Sequence, residues 1–359
     1  MKNVHAYRSG HAGEMDIEVD PLVKVAINGL GRIGRATLKI LLNSLEMDLV
    51  AVNDLVDEEN LSYMLNYDSV YGRYERQTRA KKGELDIDGK TVKVFHEKEP
   101  SNLPWKDMEV DVVFECTGIF TDKKRLSKHI DAGAGLAILS APIKKNGVEM
   151  VVHGVNKPSS EKPEMISCAS CTTNYISPVV EIIGRRIGIK KANMTTIHAY
   201  TSSQSIVDGP HKKWRRGRAG AVNFVPTTTG AATATTKVLP EYKDKFNGVA
   251  IRGPVPVGSI TDLNFVTKKN TSADEVNSIF REEAESDRYK GIVRTTDIPI
   301  VSSDIIQDPH ASIVDLTMTQ VVDGDLLKVM SWYDNEWGYA SQMVAEAQSI
   351  IHSMKKKEK

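Results

Sequence analysis

Residues 23–28, Val-Lys-Val-Ala-Ile-Asn, form a β-branched and mostly apolar run that ends in Gly29-Leu30-Gly31-Arg32-Ile33-Gly34. This is the pattern of a strand entering a glycine turn. Ile33, Thr37, Leu38, Leu41 and Leu42 then recur at the three- and four-residue spacing of one helical face, before Asn43-Ser44 weakens the period. Residues 49–52 supply the next apolar run, so strand, turn, helix and strand predict a βαβ unit with parallel pairing. Strand-like runs follow at 91–95, 110–114, 136–139 and 150–152, separated by polar or helix-like stretches such as 123–132. Alternation of this kind predicts a doubly wound α/β sheet.

The second half reads differently. A helical stretch at 177–187 leads into an apolar run at 192–198, then into a Gly-, Arg- and Ser-rich segment at 200–221 that is expected to be a functional loop. Runs at 249–251, 260–267, 311–318 and 326–332, with a helix at 272–286, predict an α+β domain with a mainly antiparallel sheet. Met343, Val344, Ala347, Ile350, Ile351 and Met354 share one helical face, so the C-terminal helix packs on a domain, and Lys355-Lys356-Lys357 reads as solvated charge. The expected division is a polar N-terminal extension at 1–20, a first domain at 21–170 rejoined by the helix at 337–359, and a second domain at 171–336.

Length supports two domains, since 359 residues exceed the about 100 to 200 of a single one. Hydrophobic residues at 40% and charged residues at 26% suit a soluble globular enzyme rather than a disordered chain. The 47 basic and 47 acidic side chains cancel, which leaves no field for nucleic acid or a membrane surface. Apolar runs stop well short of the roughly 20 residues of a membrane span, and residues 1–20 hold no apolar core of a secretory signal. Three cysteines, an odd number, fit free thiols in a reducing cytoplasm better than a disulfide framework.

The glycines of the turn meet separate needs, namely a tight bend, a close backbone approach to a pyrophosphate, and close helix packing. The helix N-terminus that follows directs N–H groups and the positive end of its dipole at phosphate. Asp54 stands about twenty residues beyond Gly34, at the end of the second strand, where a carboxylate accepts from ribose hydroxyls and repels a 2′-phosphate. The reading is a Rossmann domain that takes NAD in preference to NADP; the alternative is that Asp54 only caps the turn at 54–60.

Ser170-Cys171-Thr172-Thr173-Asn174 places a cysteine among small hydroxyl residues ahead of the helical stretch near Ser177, where a helix N-terminus favours thiolate. His198 ends the next strand candidate, and cysteine with histidine makes a nucleophile and base pair. Taken singly, each has a structural alternative, a small buried cysteine and a core histidine. Cys168-Ala169-Ser170-Cys171 is also a CxxC, which can mark a redox pair or half a metal site. No second CxxC or HxxxH completes such a site, so no metal is expected and Cys168 reads as a strand-end residue, with a Cys168–Cys171 disulfide under oxidant as the lesser alternative.

Ala169-Ser170-Cys171-Thr172-Thr173-Asn174 resembles the active-site signature of the phosphorylating glyceraldehyde-3-phosphate dehydrogenases of bacteria and eukaryotes. Further stretches similar to that family are the run from Ile27 to Arg35, Val52-Asn53-Asp54, Tyr67-Asp68-Ser69-Val70, Ser140-Ala141-Pro142, His198-Ala199-Tyr200-Thr201, the Pro226 to Ala232 run and the Ser331 to Glu336 run. The resemblance covers about residues 22 to 352. It implies that Cys171 adds to the aldehyde of glyceraldehyde 3-phosphate, that His198 supports the thiolate and takes the hydroxyl proton as hydride leaves for NAD, and that inorganic phosphate attacks the resulting thioester to release 1,3-bisphosphoglycerate. It also implies that Asn28, Gly29, Gly31, Arg32, Ile33, Gly34, Asp54, Ser140, Asn335 and Tyr339 serve the cofactor, with Asn335 on the nicotinamide carboxamide. Thr201 and Arg252 resemble ligands of the substrate phosphate, and Ser170, Thr172, Thr229, Gly230 and Arg218 those of the attacking phosphate. The 200–221 loop resembles the segment that reaches a neighbouring subunit's cofactor, which implies a homotetramer, and Asp208-Gly209-Pro210 resembles the NAD-using members active in glycolysis and gluconeogenesis.

The chain departs from the family's pattern in places. Tyr175 stands where many members carry a second cysteine, Ser203 where some carry a carboxylate or threonine, and residues 253–258 differ from the usual valine- and asparagine-containing stretch. The competing readings are erythrose-4-phosphate dehydrogenase, against which Thr228-Thr229-Gly230 argues, and a noncatalytic NAD- or RNA-binding protein, against which the intact Cys171, His198 and Asn335 argue.

Overall fold

The structure, a computed structural model, describes residues 22–143 and 147–355. The N-terminal extension and the Lys356-Lys357 end lie outside the described residues. The first sheet has nine strands in the order Glu149–Met150, Met165–Ser167, Leu136–Leu139, Val112–Glu115, Val23–Asn28, Met47–Asn53, Lys90–Phe95, Glu84–Ile87 and Thr78–Lys81. The first seven pair in parallel, as expected of a doubly wound sheet. The last two form an antiparallel hairpin on its edge, a feature that the short, charge-rich segment between residues 78 and 87 did not announce. Val23–Asn28 lies between Met47–Asn53 and Val112–Glu115, so the strand order reverses at Asn28 and a crevice opens where the three carboxyl ends meet.

The second sheet has seven strands in the order Val225–Thr228, Phe246–Gly253, Ile189–Ala199, Ser259–Thr267, Leu326–Tyr333, Ser312–Val322 and Val293–Thr296. Four pairings are antiparallel and two are parallel, so the sheet is mainly antiparallel as read from the sequence. Strict alternation of buried and half-buried residues along Ser259–Thr267 shows one face on the core.

Helix Cys171–Arg186 lies between the sheets. Tyr175, Ile176, Val179, Val180, Ile182 and Ile183 are buried in a cluster that also holds Ala137 and Leu139 of the first sheet and Leu263, Phe265 and Leu327 of the second. Helix Trp337–Lys355 returns to the first sheet, where Tyr339, Met343, Val344, Ala347 and Ile350 join Val25, Ile27 and Leu38.

Several boundaries differ from the sequence reading; the run at 249–251 extends to Phe246–Gly253 and that at 311–318 becomes Ser312–Val322. The helix expected from 177 begins six residues earlier, at Cys171, because Cys-Thr-Thr-Asn carries no apolar period although Ser170 caps it. The 123–132 stretch divides into Lys123–Leu126 and Lys128–Asp131, each a single turn. Of the 150–152 run only Met150 joins the sheet, in the strand Glu149–Met150.

Candidate active site

At the crevice, Gly29 has φ +94°, and a Cβ there would come within 2.8 Å of Thr117. A Cβ on Gly34 would come within 1.9 Å of the Gly29 carbonyl oxygen, so this glycine lets helix Arg32–Leu41 lie against the turn. Gly31, by contrast, faces open space within 4 Å, and it precedes the helix without a capping side chain. That leaves uncapped backbone N–H groups at the positive end of the dipole with no side chain in front of them, as close approach of a pyrophosphate requires. Asp54 Oδ2 accepts from Leu30 N at 2.6 Å and Oδ1 from Val56 N at 3.1 Å, which places its carboxylate beside the glycine turn. The residues present fit NAD.

The remaining residues expected at the cofactor divide into two groups. Arg32 binds Glu336 at 2.6 Å and Asp68 at 2.5 Å, tying the glycine turn to the residue beside Asn335. Asn335 is buried and its Oδ1 accepts from Ser259 Oγ at 3.0 Å. Ser140 N donates to Glu115 O at 3.0 Å at the end of the neighbouring strand. Asn28 instead turns inward: its Nδ2 donates to Glu115 and its Oδ1 accepts from Asn53 Nδ2 at 2.7 Å. Ile33 packs on the core, and the buried Tyr339 donates from its hydroxyl to Ala169 O at 3.0 Å. These three are placed to shape the crevice floor rather than to face its opening.

Cys171 is the first residue of its helix, and Ser170 Oγ accepts from Thr173 N at 3.1 Å as the cap. Ala169, just before, has φ +54°, an uncommon conformation for a residue with a Cβ, and it turns the chain sharply from strand to helix. Cys171 Sγ lies 3.5 Å from His198 Nε2. His198 sits near the end of strand Ile189–Ala199, opposite Arg252 in parallel register, and Arg252 Nη1 lies 2.7 Å from both His198 Nδ1 and Ala199 O.

Burial pushes the Cys171 thiol above its ordinary range, while the Arg252 cation and hydrogen bonds at Thr172 pull it back. The helix N-terminus therefore does not by itself deliver a thiolate: removal from water outweighs it. His198 is lowered to about 3, by burial first and then by the Arg252 charge.

These groups open on a cavity of about 250 Å³. Ser170, Thr172, Thr229, Gly230 and Arg252, which the resemblance implies as phosphate ligands, line it. Arg218 does not: its Nε pairs with Asp208 Oδ2 at 2.7 Å in an exposed position. The arginine at the cavity is Arg216, joined by Lys213. In the run Arg215-Arg216-Gly217-Arg218, Arg216 lies within the single tight turn Trp214–Gly217 and Arg218 just after it, and Thr227 Oγ1 accepts from Arg216 Nε at 3.1 Å. No periodicity distinguishes one arginine of such a run from the next. Thr201 stands outside the lining, where its Oγ1 meets Ser203 Oγ at 2.8 Å and Ser203 Oγ accepts from Arg216 Nη1 at 3.3 Å.

Cys116, Cys168 and Cys171 are free thiols. Among the described residues no cluster of His, Cys, Asp or Glu is arranged to hold a metal, and no helix is long and apolar enough to cross a membrane.

Residues 23–123 match the sequence model of the glyceraldehyde 3-phosphate dehydrogenase NAD binding domain, and residues 170–335 that of the C-terminal domain. Among curated relatives, the glyceraldehyde-3-phosphate dehydrogenase of Thermotoga maritima is 47% identical over 334 residues, 92% of this chain and 99% of the relative. Glyceraldehyde-3-phosphate dehydrogenase 2 of Streptomyces avermitilis is 45% identical over 90% of this chain and 96% of its own length. The Haloarcula vallismortis protein of the same name is 44% identical over 91% and 98%. With both domains matched in order and a cysteine and histidine meeting at a cation-lined cavity of the second, the chain belongs to the glyceraldehyde 3-phosphate dehydrogenase family and is an NAD-dependent oxidoreductase.

Proposed function

We propose that the protein oxidises glyceraldehyde 3-phosphate, with NAD and inorganic phosphate, to 1,3-bisphosphoglycerate. The observation that carries this reading is the 3.5 Å approach of Cys171 Sγ to His198 Nε2 at a cavity lined by Arg216 and Arg252. His198 takes the thiol proton, the thiolate adds to the aldehyde carbon, and the imidazolium returns that proton to the resulting oxyanion, which gives a thiohemiacetal and leaves His198 neutral. His198 then removes the thiohemiacetal hydroxyl proton, leaving a thioester on Cys171. NAD, when bound, supplies the acceptor for the hydride. Ser170, Thr172, Thr229 and Gly230, with Arg216 in place of Arg218, orient the attacking phosphate. Arg252 serves the substrate's own phosphate, and Thr201 is joined through Ser203 to Arg216. Gly29, Gly31, Gly34 and Asp54 hold the dinucleotide, and Asn335 and Ser140 border its nicotinamide end.

We place the domain boundary at 170/171, with helix Trp337–Lys355 completing the first domain. The loop 200–221 supports a homotetramer, because Ile206 and Trp214 are each 89% exposed and large apolar side chains grouped in one loop suit a subunit contact. Free thiols and the proposed glycolytic or gluconeogenic use support a cytoplasmic location.

The test is reduction of NAD and of NADP by purified protein with glyceraldehyde 3-phosphate, with and without inorganic phosphate, beside Cys171→Ser. Sustained turnover that needs phosphate, prefers NAD and vanishes in the variant is the expected result. Turnover with erythrose 4-phosphate alone, or none by folded and reduced protein, overturns it.

A further inference from the structure

Three long basic side chains line the cavity that holds Cys171 and His198, namely Lys213, Arg216 and Arg252, and no Asp or Glu is among the lining residues. Over the whole chain 47 basic and 47 acidic side chains cancel, so this corner departs from the balance. Arg218, two residues beyond Arg216, is paired with Asp208. Among the described residues the hydrogen bonds of the cavity's three cations go instead to hydroxyls, carbonyls and the imidazole of His198. Arg252 Nε is buried with no partner, and burial, with the Arg216 charge adding to it, lowers this guanidinium from its ordinary range. Cations gathered in this way are stabilised by an anion that enters among them.

Lys213 and Arg216 reach the cavity from one turn. Arg216 N donates to Lys213 O at 2.8 Å, and residues three apart in so tight a turn lie one above the other. Both side chains are then anchored on one strand, Val225–Thr228: Lys213 Nζ donates to Thr228 Oγ1 at 2.8 Å and Arg216 Nε to Thr227 Oγ1 at 3.1 Å. An ammonium has three donors, so two remain on Lys213 after the bond to Thr228. The next residues of the chain are Thr229 and Gly230, which line the same cavity. Arg252 is anchored elsewhere, on Ala199 O at the end of the neighbouring strand.

The resemblance implies Thr229 and Gly230 as ligands of the attacking phosphate and gives no part to Lys213. Resting on the reading of this cavity as the place where phosphate attacks the thioester, we infer that Lys213 is a further binding residue for the attacking phosphate, a second cation carried by the same turn as Arg216. Its place beside Thr228 assigns it to that phosphate rather than to the substrate's own, which falls to Arg252. Lys213 is exposed, so it stands at the rim, where it meets the incoming dianion and closes on it from the solvent side.

The test is steady-state kinetics of Lys213→Met, Lys213→Arg and Lys212→Met, varying inorganic phosphate, glyceraldehyde 3-phosphate and NAD in turn. KM for phosphate should rise about 5- to 10-fold in Lys213→Met, the effect of a charge-assisted hydrogen bond discounted for exposure, with kcat and the other two KM values within about twofold of wild type. Lys213→Arg should restore most of the affinity, and Lys212→Met, which removes the neighbouring charge, should leave it unchanged. An unchanged KM for phosphate in Lys213→Met overturns the inference. An equal rise in Lys212→Met does so too, since the effect is then one of general field. A rise confined to KM for glyceraldehyde 3-phosphate overturns the assignment to the attacking phosphate. Phosphorus NMR of inorganic phosphate titrated with wild-type and Lys213→Met protein gives the same comparison as a ratio of dissociation constants without NAD or turnover. A wild-type protein that binds phosphate through Lys213 yet reduces no NAD therefore fails the functional reading and keeps this one.

Discussion

Tyr175 and Tyr333 stack with ring centroids 4.3 Å apart and planes within 14°, and the Tyr333 hydroxyl lies 3.1 Å from Thr172 Oγ1 and 3.0 Å from Thr196 Oγ1. The residue that replaces the family's common second cysteine is thus the support for a ring that touches both the nucleophile's neighbour and the histidine's strand. Tyr175 is fully buried, so Tyr175→Ala is expected to cost about 3 to 5 kcal/mol through the cavity it leaves. Denaturant unfolding measures this; a loss below about 1 kcal/mol would mean that the helix collapses into the gap and that the stack is not what fixes Tyr333.

Arg216 and Arg218 should separate cleanly by substitution. Arg216→Ala removes a cation at the cavity and is expected to lower kcat/KM for phosphate by about 10- to 100-fold, the worth of a charge-assisted hydrogen bond or two. Arg218→Ala removes an exposed pair with Asp208, and kcat/KM should stay within about fivefold of wild type. Steady-state kinetics at varied phosphate decides; the reverse ranking would return Arg218 to the site.

The depressed His198 predicts a pH dependence of stability. Its folded pKa of about 3 lies below the ordinary 6.5, so between those values the unfolded chain binds a proton that the folded chain does not. The contribution is fully present above about pH 6.5 and is lost as pH falls, by about 2 kcal/mol at pH 5. The lowered carboxylates Asp68, Glu283 and Asp308 add to the loss only below the carboxylate range, and the raised Asp334 acts in the opposite sense. Unfolding free energies at pH 7 and 5 for wild type and His198→Gln isolate the term, since the variant should show a flatter profile. Parallel profiles would place the ring in contact with water.

Asp54 has a double role, holding Leu30 N and Val56 N while presenting its carboxylate at the crevice. Asp54→Ala should raise KM for NAD by about 10- to 100-fold and narrow the preference over NADP, because the acceptor for ribose hydroxyls and the repulsion of a 2′-phosphate go together. An unchanged NAD/NADP ratio of kcat/KM would leave Asp54 as a turn residue alone.

Much of this was legible in the sequence because it rests on local chemistry. Glycine spacing before a helical period, a carboxylate at the next strand end, and a Cys-Thr-Thr-Asn run among hydroxyl residues each carry their own physical reason, and 136–139 emerged as the strand Leu136–Leu139. What escaped reading depends on direction in space. Nothing in a run of arginines says that Arg216 turns to the cavity while Arg218 turns to Asp208, nor does a strand pattern show that Arg252 reaches His198 across a parallel register. The early start of helix Cys171–Arg186 escaped because a cap and a first turn of small polar residues have no period to read.

The cysteines give the last prediction. Cys168 and Cys171 are three positions apart, yet they belong to different surroundings: Cys168 is 1% exposed within the core that includes Val25, Ile138 and Met343, whereas Cys171 lines the cavity. Burial raises both thiols, Cys168 the more strongly, with the charge of Glu346 adding to it and no cation offsetting it, while Cys171 has Arg252. Cys116 is likewise pushed up, to about 12, by burial and the Glu115 charge. Thiolate character and access therefore both favour Cys171. Limited alkylation of native protein at pH 8, read by peptide mapping, should modify Cys171 first and abolish turnover in proportion, with Cys168 modified only after unfolding. Comparable labelling of Cys168 in active protein, or a Cys168–Cys171 disulfide in peroxide-treated protein, would show that the strand end opens in the folded state and would return the CxxC to consideration as a redox pair.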